Sequence, residues 1–112
     1  MSYKIKSRIW IESDKSVFLG EGRVKLLKAI GETGSLSKAA KSLNLSYKKA
    51  WSLLDAVNKS AKRPVTTNHI GGKGGGGTEL TDYGKSLIFT FDEINKNCWA
   101  FLDQQIEKFK LL

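Results

Sequence analysis

Alternating and helical spacings of apolar residues divide the chain into two hairpins and four helices. Residues 4–19 alternate polar with β-branched or aromatic positions around a turn sequence, which predicts a β-hairpin. From there on the apolar positions recur at three and four, so residues 21–60 are predicted to form three helices. Gly34 suits the end of the first helix, and Ser35 and Ser46 suit the N-caps of the two helices that follow.

Residues 35–60 have the spacing of a helix-turn-helix. The small side chains of Ala39 and Ala40 allow a second helix to approach closely, and Asn44 and Leu45 predict a tight turn with an apolar plug. The same spacing also occurs in other small helical hairpins, so this segment alone leaves both interpretations open.

A second hairpin is predicted over residues 65–80. Pro64 ends the preceding helix, and the alternation then resumes. Six of the seven residues from 71 to 77 are glycine, which indicates a long hairpin loop with Lys73 near its tip. A helix-turn-helix followed by a β-hairpin is a winged helix. The predicted fold class is therefore mainly α with small β-hairpins, as a winged helix-turn-helix within one domain of residues 1–112.

A long final helix is predicted over residues 81–110. Its apolar residues recur at three and four in a seam, formed by Leu87, Phe91, Ile94, Cys98 and Phe101. A domain of this size does not need so long an apolar helix for its own core. We interpret the seam as the dimerisation contact of a homodimer, and the alternative is a helix folded back over the N-terminal hairpin.

The basic charge is concentrated in the middle third of the chain. Lysine and arginine number 19 against 11 aspartates and glutamates, which gives a net charge of +8 and a pI near 9.7. Residues 38–73 contain eight of the basic residues and a single acidic one, Asp55, and so account for +7 of that charge. This balance points to a polyanionic partner, with nucleic acid ahead of an anionic membrane surface.

Other function classes find little support in the residues. The glycine run lacks the Gly-Lys-Ser/Thr ending of a P-loop and the strand–helix context of a dinucleotide fold. His69 and Cys98 have no apparent carboxylate partner for catalysis and are too few for a zinc site. No apolar run has the length of a membrane span or the place of a secretory signal, and one cysteine excludes an internal disulfide. We expect a cytoplasmic protein that is not an enzyme and holds no metal or cofactor.

The heptamer Ser-Tyr-Lys-Lys-Ala-Trp-Ser at residues 46–52 carries the most information about DNA binding. Its first four residues should face outward at the start of the third helix, while Ala50 faces inward. Serine and lysine side chains contact phosphates or base edges, and tyrosine adds a phosphate hydrogen bond or packs on a sugar. Trp51 is interpreted as a core or hinge aromatic, with direct DNA contact as the alternative.

Five motifs between residues 7 and 95 carry a family resemblance. They are Gly-Glu-Gly-Arg at 20–23, Glu-Thr-Gly-Ser-Leu-Ser-Lys-Ala-Ala at 32–40, Leu-Ser-Tyr-Lys-Lys-Ala-Trp at 45–51, Gly-Gly-Lys-Gly-Gly-Gly at 71–76 and Leu-Thr-Asp-Tyr-Gly at 80–84. Together they resemble the N-terminal domain of ModE-type molybdate-responsive transcriptional regulators. The helix-turn-helix is more distantly similar to that of LysR-type regulators.

The resemblance implies a dimeric winged-helix domain that binds double-stranded DNA, with a recognition helix from Ser46 to Ser60. It places the start of the preceding helix on the DNA backbone and residues 67–73 beside it. The predicted DNA-binding residues are Ser35, Ser37, Lys38, Ser46, Tyr47, Lys48, Lys49, Ser52, Arg63, Thr67 and Lys73. In the full-length regulators a molybdate-binding region follows the long helix. Because this sequence stops at Leu112, we expect a stand-alone version without a small-molecule effector site.

Two functions are therefore under consideration. The first is a sequence-specific transcriptional regulator that binds DNA as a homodimer through the recognition helix and the glycine-rich wing. The alternative is a winged-helix adaptor that uses the apolar C-terminal helix to bind another protein, with an incidental basic face.

Overall fold

A computed structural model describes residues 2–14, 16–70 and 76–110 of the chain. This part is mostly helical, with two small antiparallel hairpins and a long C-terminal helix, as the alternation and periodicity predict. In chain order the elements are β1 (Trp10–Ser13), β2 (Ser16–Gly20), α1 (Glu21–Thr33), α2 (Leu36–Ser42), α3 (Tyr47–Ser60), β3 (Thr66–His69), β4 (Gly77–Leu80) and α4 (Asp82–Lys108).

The N-terminal hairpin is shorter than its alternating pattern. β1 and β2 pair from Trp10 opposite Gly20 to Ser13 opposite Ser16, with an irregularity after Ile11. Residues 4–9 continue the alternation but form no strand, because β2 passes directly into α1 after Gly20 and offers them no partner. This segment instead reaches α4, where the carbonyl of Ser7 accepts a hydrogen bond from the indole of Trp99 at 3.3 Å.

The helix ends follow the predicted capping chemistry. Gly34 ends α1 in the left-handed region at φ 69°, where a side chain would be strained. The hydroxyls of Ser35, Ser46 and Thr81 accept hydrogen bonds from backbone N–H groups in the first turns of α2, α3 and α4, at 3.0–3.1 Å. These caps fix where each helix begins.

The core lies where α1, α2 and α3 meet β2 and the first half of α4. Its fully buried large side chains are Leu19, Leu26, Leu27, Ile30, Val57 and Val65. Ala39 and Ala40 of α2 are buried opposite Ala50 of α3, so the predicted small-residue crossing of these two helices is present.

Most of α4 extends beyond this core. The helix has 27 residues, a length of about 40 Å, and its only fully buried residues are Gly84 and Phe91. The Cα radius of gyration is 17.2 Å, whereas a compact domain of this length has about 13 Å. In the described ranges no helix combines the length and the apolarity that crossing a membrane requires.

The buried peptide of Val65 joins α3, β3 and α4. Its N–H donates to the side-chain oxygen of Asn58 at 2.7 Å, and its carbonyl accepts from the backbone N–H of Thr81 at 3.0 Å. The Thr81 hydroxyl donates to the neighbouring carbonyl of Pro64 at 2.7 Å. Gly84 packs directly on this carbonyl, and a Cβ at Gly84 would overlap with the Val65 oxygen. The α4 backbone can therefore approach this closely only with glycine at position 84.

We predict that Gly84→Ala destabilises the protein by about 1–3 kcal/mol, because the added methyl forces α4 away from Val65. Urea unfolding followed by circular dichroism measures the change. Gly22→Ala is the matched control, because nothing lies within 4 Å of a Cβ at that helical position. It should gain up to about 1 kcal/mol from helix propensity. Equal effects of the two substitutions would contradict the close approach of α4.

Candidate nucleic-acid interface

An open groove of about 500 Å³ separates α3 from the β3–β4 hairpin. One wall is the side of α3 that runs from Tyr47 and Trp51 to Asn58. The opposite wall is the hairpin, including Asn68 and His69, and the start of α2 closes one end with Ser35. The helix α3, the β3–β4 hairpin and the N-terminus of α2 thus line one concave surface.

Trp51 lies in this groove rather than in the core, so its interpretation as a core aromatic is wrong. The indole is 52% exposed. The buried face of α3 is formed by Ala50, Leu54 and Val57, and one residue further along a helix turns about 100° away from Ala50. Tyr47, one turn earlier, is similarly exposed, so the two rings form an aromatic wall on the side of α3 that faces the hairpin.

The outermost face of α3 is polar. Lys48 and Ser52 lie opposite the buried face and are exposed, and Lys49 is exposed beside them. Asp55 is the one acidic residue of this helix, and its carboxylate pairs with Lys59 at 2.9 Å. This face therefore presents donors without an uncompensated negative charge.

The cap serines keep a hydrogen to donate. The Ser35 oxygen accepts from the N–H of Lys38, and the Ser46 oxygen accepts from the N–H of Lys49. A hydroxyl that accepts one such bond still has its own proton available for an acceptor such as a phosphate oxygen. Both predicted serines thus cap a helix and still have a hydroxyl hydrogen that can be donated to a ligand.

Most cations on α2, α3 and the following turn are free of ion pairs. Within the described part of the chain, no carboxylate pairs with Lys38, Lys41, Lys48, Lys49 or Lys62. Arg63 lies 5.4 Å over the ring of Tyr83, which leaves its charge unneutralised. Elsewhere Arg8 and Lys25 pair with Glu21, and Lys28 pairs with Asp92. From Lys38 to Arg63 the chain carries seven lysines and arginines but one carboxylate, Asp55, so most of the positive charge on these elements is uncompensated.

The β3–β4 hairpin is anchored to both neighbouring helices. The N–H of Thr78 donates to the carbonyl of Gly34 at 3.0 Å, and the Asn58 amide donates to the Thr66 hydroxyl at 3.1 Å. Across the hairpin the Thr78 hydroxyl donates to Asn68. Predicted Thr67 is exposed on β3, whereas predicted Lys73 lies outside the described residues. Asn58 was not predicted, since a helical asparagine that bonds seven residues ahead leaves no local sequence signal.

The predicted apolar seam of α4 divides into two parts. Phe91 is 4% exposed and belongs to the core of its own chain, because the first turns of α4 cover α1, and Leu87 packs partly against it. Ile94 and Phe101 are 46% and 56% exposed, and Cys98 is half-buried with its sulfur 3.5 Å from the Ser7 hydroxyl. Further exposed rings on or beside this helix are Phe89, Trp99 and Phe109.

No group of three or more potential ligands among the described residues could hold a metal ion.

The sequence has relatives among known bacterial proteins. No family model matches the chain. The chain is similar to bacterial transcriptional regulators and molybdenum proteins, and these relatives are named ModE or MopB. "Molybdenum transport protein ModE" of Azotobacter vinelandii is 36% identical over 91% of this chain and 38% of its own length. "Molybdenum-pterin-binding protein MopB" of Rhodobacter capsulatus is 49% identical over 68% of this chain and 28% of its own.

A third relative has a name that states DNA binding. "DNA-binding transcriptional dual regulator ModE" of Escherichia coli is 38% identical over 73% of this chain and 31% of its own length. The predicted resemblance is confirmed: the chain is a homologue of ModE-type proteins over most of its length. It spans about a third of the length of the curated relatives it matches.

We predict that Asn58→Ala lowers the free energy of unfolding by about 1–3 kcal/mol, because the buried N–H of Val65 loses its acceptor. Asn58→Asp keeps an oxygen for this N–H and should lose less. Ser52→Ala, an exposed position on the same helix, is the control and should stay within about 0.5 kcal/mol. Urea unfolding compares the three, and an Asn58→Ala variant as stable as the control would refute the anchoring role.

Proposed function

We propose that this chain is a double-stranded DNA-binding transcriptional regulator of the ModE type, with the architecture of a winged helix-turn-helix. In this proposal α2 and α3 are the helix-turn-helix, and the hairpin formed by residues 65–80 is the wing. The observation that carries the proposal is the outer face of α3, where Lys48, Lys49 and Ser52 are exposed and have no acidic partner among the described residues. The names of the relatives support the same function.

The dimensions of α3 suit the major groove. A helix with side chains is about 10–12 Å across, and the major groove of B-DNA is about 12 Å wide. The N-terminal residues of a recognition helix contact base edges while the preceding helix crosses the backbone. In this proposal Ser46, Lys48 and Ser52 sample base edges, and Tyr47 contacts the DNA backbone.

The remaining residues position the duplex through phosphates. On α2 and α3 these are Ser35, Ser37, Lys38 and Lys49, which lie at helix starts where N–H groups and lysines favour anions. Beyond α3 the proposal adds Arg63 and Thr67 from the described residues and Lys73 from the glycine-rich loop.

We also propose that the protein binds DNA as a homodimer through α4. Ile94 and Phe101 are exposed one heptad apart on a helix that projects from the core. Two-fold symmetry would place two α3 helices in successive major grooves, about 34–36 Å apart. The adaptor alternative uses the same apolar helix, but the relatives that are named as regulators favour the DNA-binding function.

We predict that Lys49→Ala weakens binding to every duplex and lowers the slope of log affinity against log salt by about one, because one phosphate contact is lost. Fluorescence anisotropy with labelled duplexes, titrated with salt, measures this. Lys25→Ala is the matched control, since it removes the same charge on α1, where Lys25 pairs with Glu21. Binding by the unchanged protein that is weak and insensitive to salt would contradict DNA binding itself.

For the dimer, we predict that Phe101→Glu raises the dissociation constant at least about tenfold, because it places a charge in an apolar contact. Sedimentation equilibrium measures the change. Lys96→Glu is the control, because it lies about 180° around α4 from Ile94 and is also exposed. An unchanged protein that is monomeric at high concentration would refute this part of the proposal.

A further inference from the structure

We propose that the groove between α3 and the β3–β4 hairpin holds one sugar–phosphate strand of the duplex, and that Tyr47 and Trp51 pack on its deoxyribose faces rather than read bases. The inference rests on the proposed DNA binding. It gives a binding role to two exposed aromatic side chains whose position the distribution of charge does not explain.

The angular position of the two rings is the first argument. The buried face of α3 is centred on Ala50, Leu54 and Val57. At about 100° per residue, Tyr47 and Trp51 lie roughly 90–130° from the outermost direction of the helix. They share their side with Asn58, whose amide is bonded to β3. The rings therefore face the hairpin, whereas Lys48 and Ser52 face outward.

The geometry of a duplex supplies the second argument. Each sugar–phosphate strand is the wall between the major and the minor groove. A helix in the major groove and a hairpin beside it therefore reach the same strand from two sides. The strand must then pass through the space between helix and hairpin. In this protein that space is the groove lined by Tyr47, Trp51 and the hairpin residues Asn68 and His69.

The lining suits a sugar–phosphate strand. The rings offer apolar faces to the C–H surface of the sugars, and the hydroxyls of Ser35 and Ser37 stand at one end of the groove. The side-chain oxygen of Asn68 accepts a hydrogen bond from the Thr78 hydroxyl, so the amide N–H groups of Asn68 remain available as donors. Asp55 also lines the groove, but Lys59 neutralises its carboxylate at 2.9 Å. Unpaired Lys38, Lys48 and Lys49 lie on the two helices that border it.

Packing on sugars has a distinct signature in binding data. Every nucleotide carries the same sugar, so loss of the ring should weaken binding to all sequences by the same factor. The contact is not ionic, so the salt slope should remain unchanged. A base-reading residue would instead change sequence preference, and a phosphate-binding lysine would change the slope.

The test compares two duplexes of equal length, one selected from a random pool for tight binding and one a scrambled version of it. Trp51→Ala should lower affinity for both about tenfold, with an unchanged affinity ratio and an unchanged salt slope. Trp51→Phe keeps an aromatic face and should retain most of the affinity. Trp10→Ala is the matched control, because it removes an indole of similar exposure from the N-terminal hairpin. Circular dichroism and thermal unfolding verify that each variant is folded.

A second measurement does not depend on truncation. A variant with Trp10→Phe and Trp99→Phe retains Trp51 as its only tryptophan. Both duplexes should protect its fluorescence from acrylamide quenching to the same extent.

Three results would overturn the inference while the proposed function stands. In the first, Trp51→Ala lowers the ratio of affinities for the selected and the scrambled duplex. In the second, Trp51→Ala keeps full affinity. In the third, neither duplex reduces acrylamide quenching of Trp51. If the unchanged protein binds neither duplex, the proposed function itself fails. The two failures are therefore distinguishable.

Discussion

The hydrogen bonds around the buried peptide of Val65 determine how the parts of this molecule are placed. Val65 is fully buried, so its N–H and carbonyl need partners within the protein. Asn58 supplies one from α3, and Thr81 supplies the other from the cap of α4. Because each partner lies on a different element, the helix, the hairpin and α4 are fixed relative to one another at a single point. The width of the groove beside α3 follows from this junction.

The scarcity of acidic residues separates the face around the groove from the rest of the surface. Outside residues 38–73 eleven basic residues are matched by ten acidic ones, and Glu21 and Asp92 pair with Arg8, Lys25 and Lys28. On α2 and α3 the single acidic residue, Asp55, is itself paired, and the remaining lysines have no carboxylate within the described residues. Exposed surface pairs add little to stability. The excess positive charge supports the proposed DNA binding, because it creates a field that attracts a polyanion.

Local chemistry and the close crossing of α2 and α3 could be predicted from the sequence, whereas the orientation of α3 against the hairpin could not. Gly34, Ser35 and Ser46 act on their own helix ends, so their residue types were sufficient. Trp51 depends on which way α3 turns against the hairpin, and a rotation of one residue separates core from groove. The strand pattern before Trp10 failed for a similar reason, because pairing needs a partner and β2 is too short to provide one.

The division of α4 links the proposed dimer to the proposed DNA face. Its first turns are held to the core by Gly84 against Val65 and by Phe91, and the Lys28–Asp92 ion pair adds a contact with α1. The second half carries the exposed Ile94 and Phe101 on the same continuous helix. A second chain bound to that half would therefore have a fixed orientation relative to the core, because one continuous helix connects the contact to the hydrogen bonds around Val65. Since the same junction positions α3, the spacing between two recognition helices would be set by α4 rather than by flexible loops.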